Sequence, residues 1–194
     1  MKNKTLLIFL VGALLIANVA LMSMAYASSP SSTTGEVGVT RGGLSINSVP
    51  TSENFGSVSV STVDQLIPHY VFSSPVEFQD TRDTGGNYSL TVTATNFVDG
   101  AKVIGLENLS MVANSLDDAS GGVTDCSAGF AALETPTAFQ DTDANGESDA
   151  EVLVSTDGTQ DAITHCSVTP AIDLVIPAYT SAGNYQSTIV FTIT

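Results

Sequence analysis

DTRDTGGNYSLTVTATNF, residues 80–97, decides how this chain is read. It opens on turn chemistry, with Asp80, Thr81 and Arg82 followed by Gly85, Gly86 and Asn87. It then runs in strict alternation. Tyr88, Leu90, Val92 and Ala94 share one face, and Ser89, Thr91, Thr93 and Thr95 share the other. An alternation of period two built from Thr, Val and aromatic residues is the mark of a half-buried β-strand. The last residues, NYQSTIVFTIT, follow the same rule, with Tyr185, Ile189, Phe191 and Ile193 on a common face.

Outward from these two strands the chain keeps the same texture. Short β-candidates stand at Glu36–Thr40, Gly43–Val49, Gly56–Val63, His69–Phe78, Lys102–Ala113, Val123–Ala131, Ala150–Ser155, Ile163–Val168 and Ile172–Ile176, punctuated by Gly- and Asp-rich turns. Pro75 marks a break or an edge in its segment, and residues 114–121 read as loop. Hydrophobic residues make up 43 % of the 194, enough to build a core, and no segment carries the helical period. The expected fold is all-β, an antiparallel β-sandwich of Ig-like or Greek-key type with a long acidic loop inserted at residues 133–150.

Residues 1–27 read as a secretory signal. Lys2 and Lys4 precede an apolar run from Leu6 to Met22, and Ala25-Tyr26-Ala27 offers a small-residue cleavage site. Retention of that run as an N-terminal anchor is the alternative. Residues 28–36 form a polar lead-in, and residues 37–194 form the domain. Beyond the leader the basic residues are Arg41, Arg82 and Lys102, against 20 acidic ones, so the mature charge is 3 − 20 = −17. Such a surface repels phosphate backbones and excludes nucleic acid as a partner. It suits a cation, a cationic partner or plain solubility. Arg82 is expected to pair with Asp80 or Asp83.

Two cysteines, Cys126 and Cys166, are the whole thiol inventory. In an exported chain such a pair reads as a disulfide. It would close a loop of about 40 residues, worth roughly 4 kcal/mol through loop entropy. Two buried free thiols are the alternative.

One stretch has the spacing of a metal loop. Asp141, Asp143, Asn145 and Asp149 stand at positions 1, 3, 5 and 9, with Gly146 at position 6 and Glu147 placed to offer its carbonyl at position 7. Alternate residues of a tight coil point inward, and hard carboxylate oxygens suit Ca²⁺. Position 12 is Val152, so the pattern is similar to dockerin-like or thrombospondin-type calcium loops, completed by Asp125 or Glu151. The other reading is a solvated acidic loop. Enzyme constellations are missing. His69 and His165 have no metal spacing, no serine lies in a nucleophile elbow, and no glycine-rich phosphate loop occurs. The chain is read as a non-enzyme.

The segment Asp80-Thr81-Arg82, then Thr84-Gly85-Gly86, then Tyr88-Ser89-Leu90, resembles the central element of the WxL domain, a cell-surface module of Gram-positive bacteria. Gly183-Asn184-Tyr185 followed by Phe191-Thr192-Ile193 resembles its closing strand, and Phe55-Gly56-Ser57-Val58 resembles its opening one. Tyr88 and Phe191 stand where that family has tryptophan. The resemblance implies an exported protein held non-covalently at the peptidoglycan of the cell wall, in company with other surface proteins. Tyr88, Leu90, Phe191 and Ile193 are then the candidate wall- or partner-binding residues, and core packing is the competing reading. A second functional expectation is a calcium-ordered structural subunit of a surface layer or fibre.

Overall fold

Alternating side chains need a layer on each buried face, and the chain meets that need with two packed antiparallel sheets. The computed structural model describes residues 37–82, 86–119, 126, 130–158 and 164–194. The signal segment, the lead-in, Asp83, Thr84, Gly85 and Asp125 lie outside the described residues. Thr40–Thr194 forms one unit, and of the separate unit that ends at Val39 only residues 37–39 are described.

In chain order the strands are β1 (Leu44–Ser48), β2 (Gln65–Val71), β3 (Val76–Asp80), β4 (Ser89–Ala94), β5 (Phe97–Asp99), β6 (Lys102–Ile104), β7 (Leu109–Asp118), β8 (Phe130–Ala132), β9 (Thr137–Ala138), β10 (Glu151–Thr156), β11 (Thr164–Ile176) and β12 (Ile189–Ile193). One sheet runs β1-β3-β11-β7-β9, with β2 also paired to β11. The second runs β12-β4-β10-β8, and β5-β6 is a separate hairpin. All pairings are antiparallel. The fold is therefore the expected all-β sandwich.

The opening stretch behaves as its alternation demands. Leu90 and Val92 are fully buried and Ala94 nearly so, while the threonines between them are half-buried. β12 lies beside β4, with Phe191 opposite Val92 and Ile193 opposite Leu90. The facing layer supplies Val76 and Phe78 from β3 and Cys166, Val168, Ile172 and Leu174 from β11 to the same core.

Four details depart from expectation. The candidates near Ile163–Val168 and Ile172–Ile176 are one long strand, β11, continuous through Pro170. Proline lacks an N–H, and it is tolerated because the register with β7 shifts between Thr169 and Pro170, while the Pro170 carbonyl accepts from Phe72 N. There β11 changes neighbour from β3 to β2 across the break that contains Pro75. Residues 114–118, expected as loop, extend β7, while Lys102–Ala113 holds two strands, β6 and the start of β7, around a 3-10 turn at Leu106–Asn108. In β10 a register shift at Val152/Val154 puts both Leu153 and Val154 inside. Finally, no strand forms at Val37–Thr40 or at Gly56–Val63, although both alternate cleanly.

Candidate functional site

The Gly56–Val63 segment lacks a ladder because it spans a groove instead of joining a sheet. Its start is fixed by two side chains. The Glu53 carboxylate accepts from Tyr70 Oη (3.0 Å), Ser73 N (2.8 Å) and Ser73 Oγ (2.7 Å). That bond to the carboxylate holds the Tyr70 hydroxyl above its ordinary pKa. The Phe55 ring packs edge-on to Tyr70, with centroids 5.0 Å apart, and also meets Phe72 and Phe97. Gly56 then turns the chain at φ 89°, a conformation that favours glycine. The far end is tied where Tyr179 N donates to Ser61 O (2.8 Å) and Ala178 N donates to Asp64 Oδ1 (2.8 Å). Between these ties, Ser57 to Val60 have no backbone partner among the described residues. Val58 and Val60 stay 43 % and 64 % exposed, so the alternation here is not matched by burial of one face.

The groove beneath has a volume of about 1000 Å³ and is open to solvent. Its apolar lining includes Phe55, Ile67, Phe97, Leu174, Ile189 and Phe191. Its polar lining comes from the serines and amides of residues 50–61 and 180–188. Phe191 and Ile189 reach it from β12, the edge of the second sheet.

The four residues expected to meet a wall or partner divide here. Tyr88 is 4 % exposed and Leu90 is fully buried, so neither presents a surface to a ligand, and that part of the expectation is corrected to core packing. Phe191 and Ile193 are half-buried, and Phe191 lines the groove. Tyr88 is held on every side. Its ring packs against Phe78 and Phe130, and its hydroxyl shares a 3.1 Å hydrogen bond with Thr164 Oγ1. Burial raises its pKa above the ordinary tyrosine value.

Arg82 pairs with Asp80. Arg82 Nε and Nη2 donate to the two carboxylate oxygens at 3.0 and 2.8 Å, and Arg82 N donates to Oδ1 at 2.9 Å. Nη2 also donates to Gly86 O at 3.0 Å, and the guanidinium lies 5.7 Å from the Tyr88 ring centre. Asp80 is 3 % exposed. The D-x-R element thus ties Asp80 at the end of β3 to Gly86 ahead of β4, a structural use of Arg82.

The acidic loop is coiled on its own oxygens. Asp141 Oδ1 accepts from Asn145 N (3.0 Å) and Oδ2 from Gly146 N (2.8 Å); Asp143 Oδ1 accepts from Asn145 N (3.3 Å); Asn145 Oδ1 accepts from Glu147 N (2.7 Å). Gly146 sits at φ 84°. The neck closes where Asp149 N donates to Gln140 O (2.7 Å), and Ser148 N donates to Ala94 O at the end of β4 (2.8 Å). The oxygen donors expected for calcium, Asp141, Asp143, Asn145, Glu147 and Asp149, thus sit in one coil, and Glu151 follows in β10. Among the described residues no three His, Cys, Asp or Glu side chains converge as a metal group. Each ionised carboxylate has lone pairs beyond those its N–H partners use, so the donor set remains chemically suited to a hard cation.

Cys126 and Cys166 are joined in a disulfide with Cα atoms 5.8 Å apart, and both are buried. His165 lies beside Cys166 with its ring 3.2 Å from Asn47 Nδ2, and His69 contacts Asn114 Oδ1 at 2.9 Å; the two histidines belong to separate polar contacts. Among the described residues no helix is long and apolar enough to cross a membrane.

Sequence reasoning missed Glu53, Tyr70 and the groove. The Phe55-Gly56 pair was the available signal, since it announces a bend beside an aromatic anchor. Comparison with protein-family models, curated proteins and solved structures returns no match to this chain.

Proposed function

We propose that this chain is an exported, non-catalytic binding module of the cell surface, with an attachment or scaffolding role, that engages its partner through the groove under residues 56–61. The observation that carries the reading is the groove itself. It is open and apolar-floored, its rim is rich in hydroxyl and amide groups, and it contains Phe191 of the strand that resembles the wall-binding family. The signal-like leader and the disulfide support export.

The first partner is peptidoglycan. Aromatic faces such as Phe55 and Phe191 stack on sugar rings, and the hydroxyl and amide rim meets sugar hydroxyls. Retention of the mature chain on purified peptidoglycan at moderate salt is the expected result, and Val60→Lys should abolish it. Val60 is 64 % exposed, so the substitution leaves the core intact. A wild-type chain that washes through would end the wall reading.

The second reading is a structural subunit of a surface layer or fibre, with Ca²⁺ holding the 141–149 loop. It is favoured by backbone at Ser57–Val60 and along the outer side of β12 that has no backbone partner among the described residues. Calorimetric titration tests the ion. Heat of Ca²⁺ binding is expected for the wild type and should vanish in Asp141→Ala, whose lost carboxylate holds two loop N–H groups. No heat from the wild type would remove calcium from the account.

A further inference from the structure

β12 is an edge strand, and its register leaves one side unsatisfied. Ser89 and Thr194 exchange both backbone hydrogen bonds, and Thr95 N donates to Thr188 O. In an antiparallel ladder this phase turns residues 190 and 192 toward β4 and residues 189, 191 and 193 outward. Among the described residues the outward N–H and C=O groups of Ile189 and Phe191 have no backbone partner, and both residues line the groove. Ser57 to Val60, which line it too, are equally unpartnered. A groove bordered by two stretches of unsatisfied backbone, with an apolar floor, has the chemistry of a β-strand acceptor.

The same chain carries an unused strand. Glu36–Thr40 has the alternation of a β-segment, yet Val37–Thr40 pairs with nothing among the described residues, and Val37 and Val39 are 86 % and 90 % exposed. Extended, its five residues span about 17 Å, the length of five-residue β12. Val37 and Val39 would point to one face, as the floor requires, leaving Gly38 and Thr40 on the other. Charge selects this segment as well. In a mature chain of net charge −17, residues 28–41 carry only Glu36 and Arg41 and sum to zero. The donor thus brings no net charge toward an acidic chain, and it suits a groove whose one acidic lining residue, Glu53, is already engaged by Tyr70 and Ser73.

We infer that the groove accepts residues 36–40 of a second copy as an added strand along β12. Donor and acceptor are different segments of the chain, so the contact is heterologous, and where its rotation does not close it propagates head-to-tail into an open linear assembly. This inference rests on the structural-subunit reading and names the contact that reading needs.

The test uses the mature full chain, followed by light scattering and sedimentation over a range of concentrations. Assembly should set in with rising concentration. Val37→Asp/Val39→Asp should raise the onset by about a hundredfold, the effect of losing two buried valines. Thermal unfolding should stay unchanged, because both side chains are exposed in the single copy. A synthetic peptide of residues 34–42 should dissolve wild-type assemblies, and the same peptide with both aspartates should not. Assembly that is indifferent to the double variant and to the peptide overturns the donor strand and leaves the subunit reading standing. A wild-type chain that remains monomeric with and without Ca²⁺, and does not bind the peptide, overturns both.

Discussion

At the residue scale the most informative group is Asp80. It is a nearly buried carboxylate whose two oxygens are taken by one guanidinium and one N–H. A buried charge is tolerable only when paired in this way. Asp80→Ala leaves Arg82 without its partner and frees the turn before β4. A loss of about 2 kcal/mol is expected in urea unfolding, moderated because Arg82 keeps partial access to water. Tyr88 makes a second prediction, set by pH. Its folded-state pKa is raised by burial above the ordinary 10.0. The neutral phenol is thus favoured in the fold, and its contribution is complete below pH 10 and lost as pH rises through the folded value. Stability should fall above pH about 10, and Tyr88→Phe should flatten that fall while costing about 1 kcal/mol at neutral pH for the hydrogen bond to Thr164. An alkaline limb identical in the two proteins would remove Tyr88 as its source.

At the scale of elements, β11 holds one sheet together, because β2, β3 and β7 all pair with it. The disulfide ties it at Cys166 to Cys126, 40 residues earlier in the chain. Reduction of the bond is expected to lower the unfolding free energy by about 4 kcal/mol, measured by denaturation with and without reductant. The loop that carries the acidic coil lies within the same covalent circle. The 56–61 strap shows the opposite case. Its valines are as regular as those of β4, but it is tied at its two ends and unpaired between them. A strand is a property of a pair, and among the described residues this segment has no backbone partner between its ties.

At the scale of the whole molecule the excess of negative charge dominates. With 20 acids against three bases beyond the leader, the folded chain repels itself. Raising ionic strength from 0.01 to 0.15 M shortens the screening length from about 30 to 8 Å, so the melting temperature should rise with salt. A melting temperature that stays flat or falls would show that the acids are already neutralised by their neighbours.

The sequence alone determined the all-β class, which residues of β4 share a face, the break at Pro75, that Cys126 and Cys166 have only each other to pair with, and that Arg82 has a carboxylate close by in the chain. Each of these follows from local period, short separation or a two-member inventory. Only the tertiary structure decided that Tyr88 and Leu90 are interior, that two segments beside Cys166 and Ile172 are one strand, and that Gly56–Val63 spans a groove. Alternation tells which residues share a face, but not whether that face meets a second sheet, a solvent-filled groove or another chain. That depends on strand order, which is settled by contacts between residues such as Glu53 and Ser73 or Ser61 and Tyr179 that no local pattern announces.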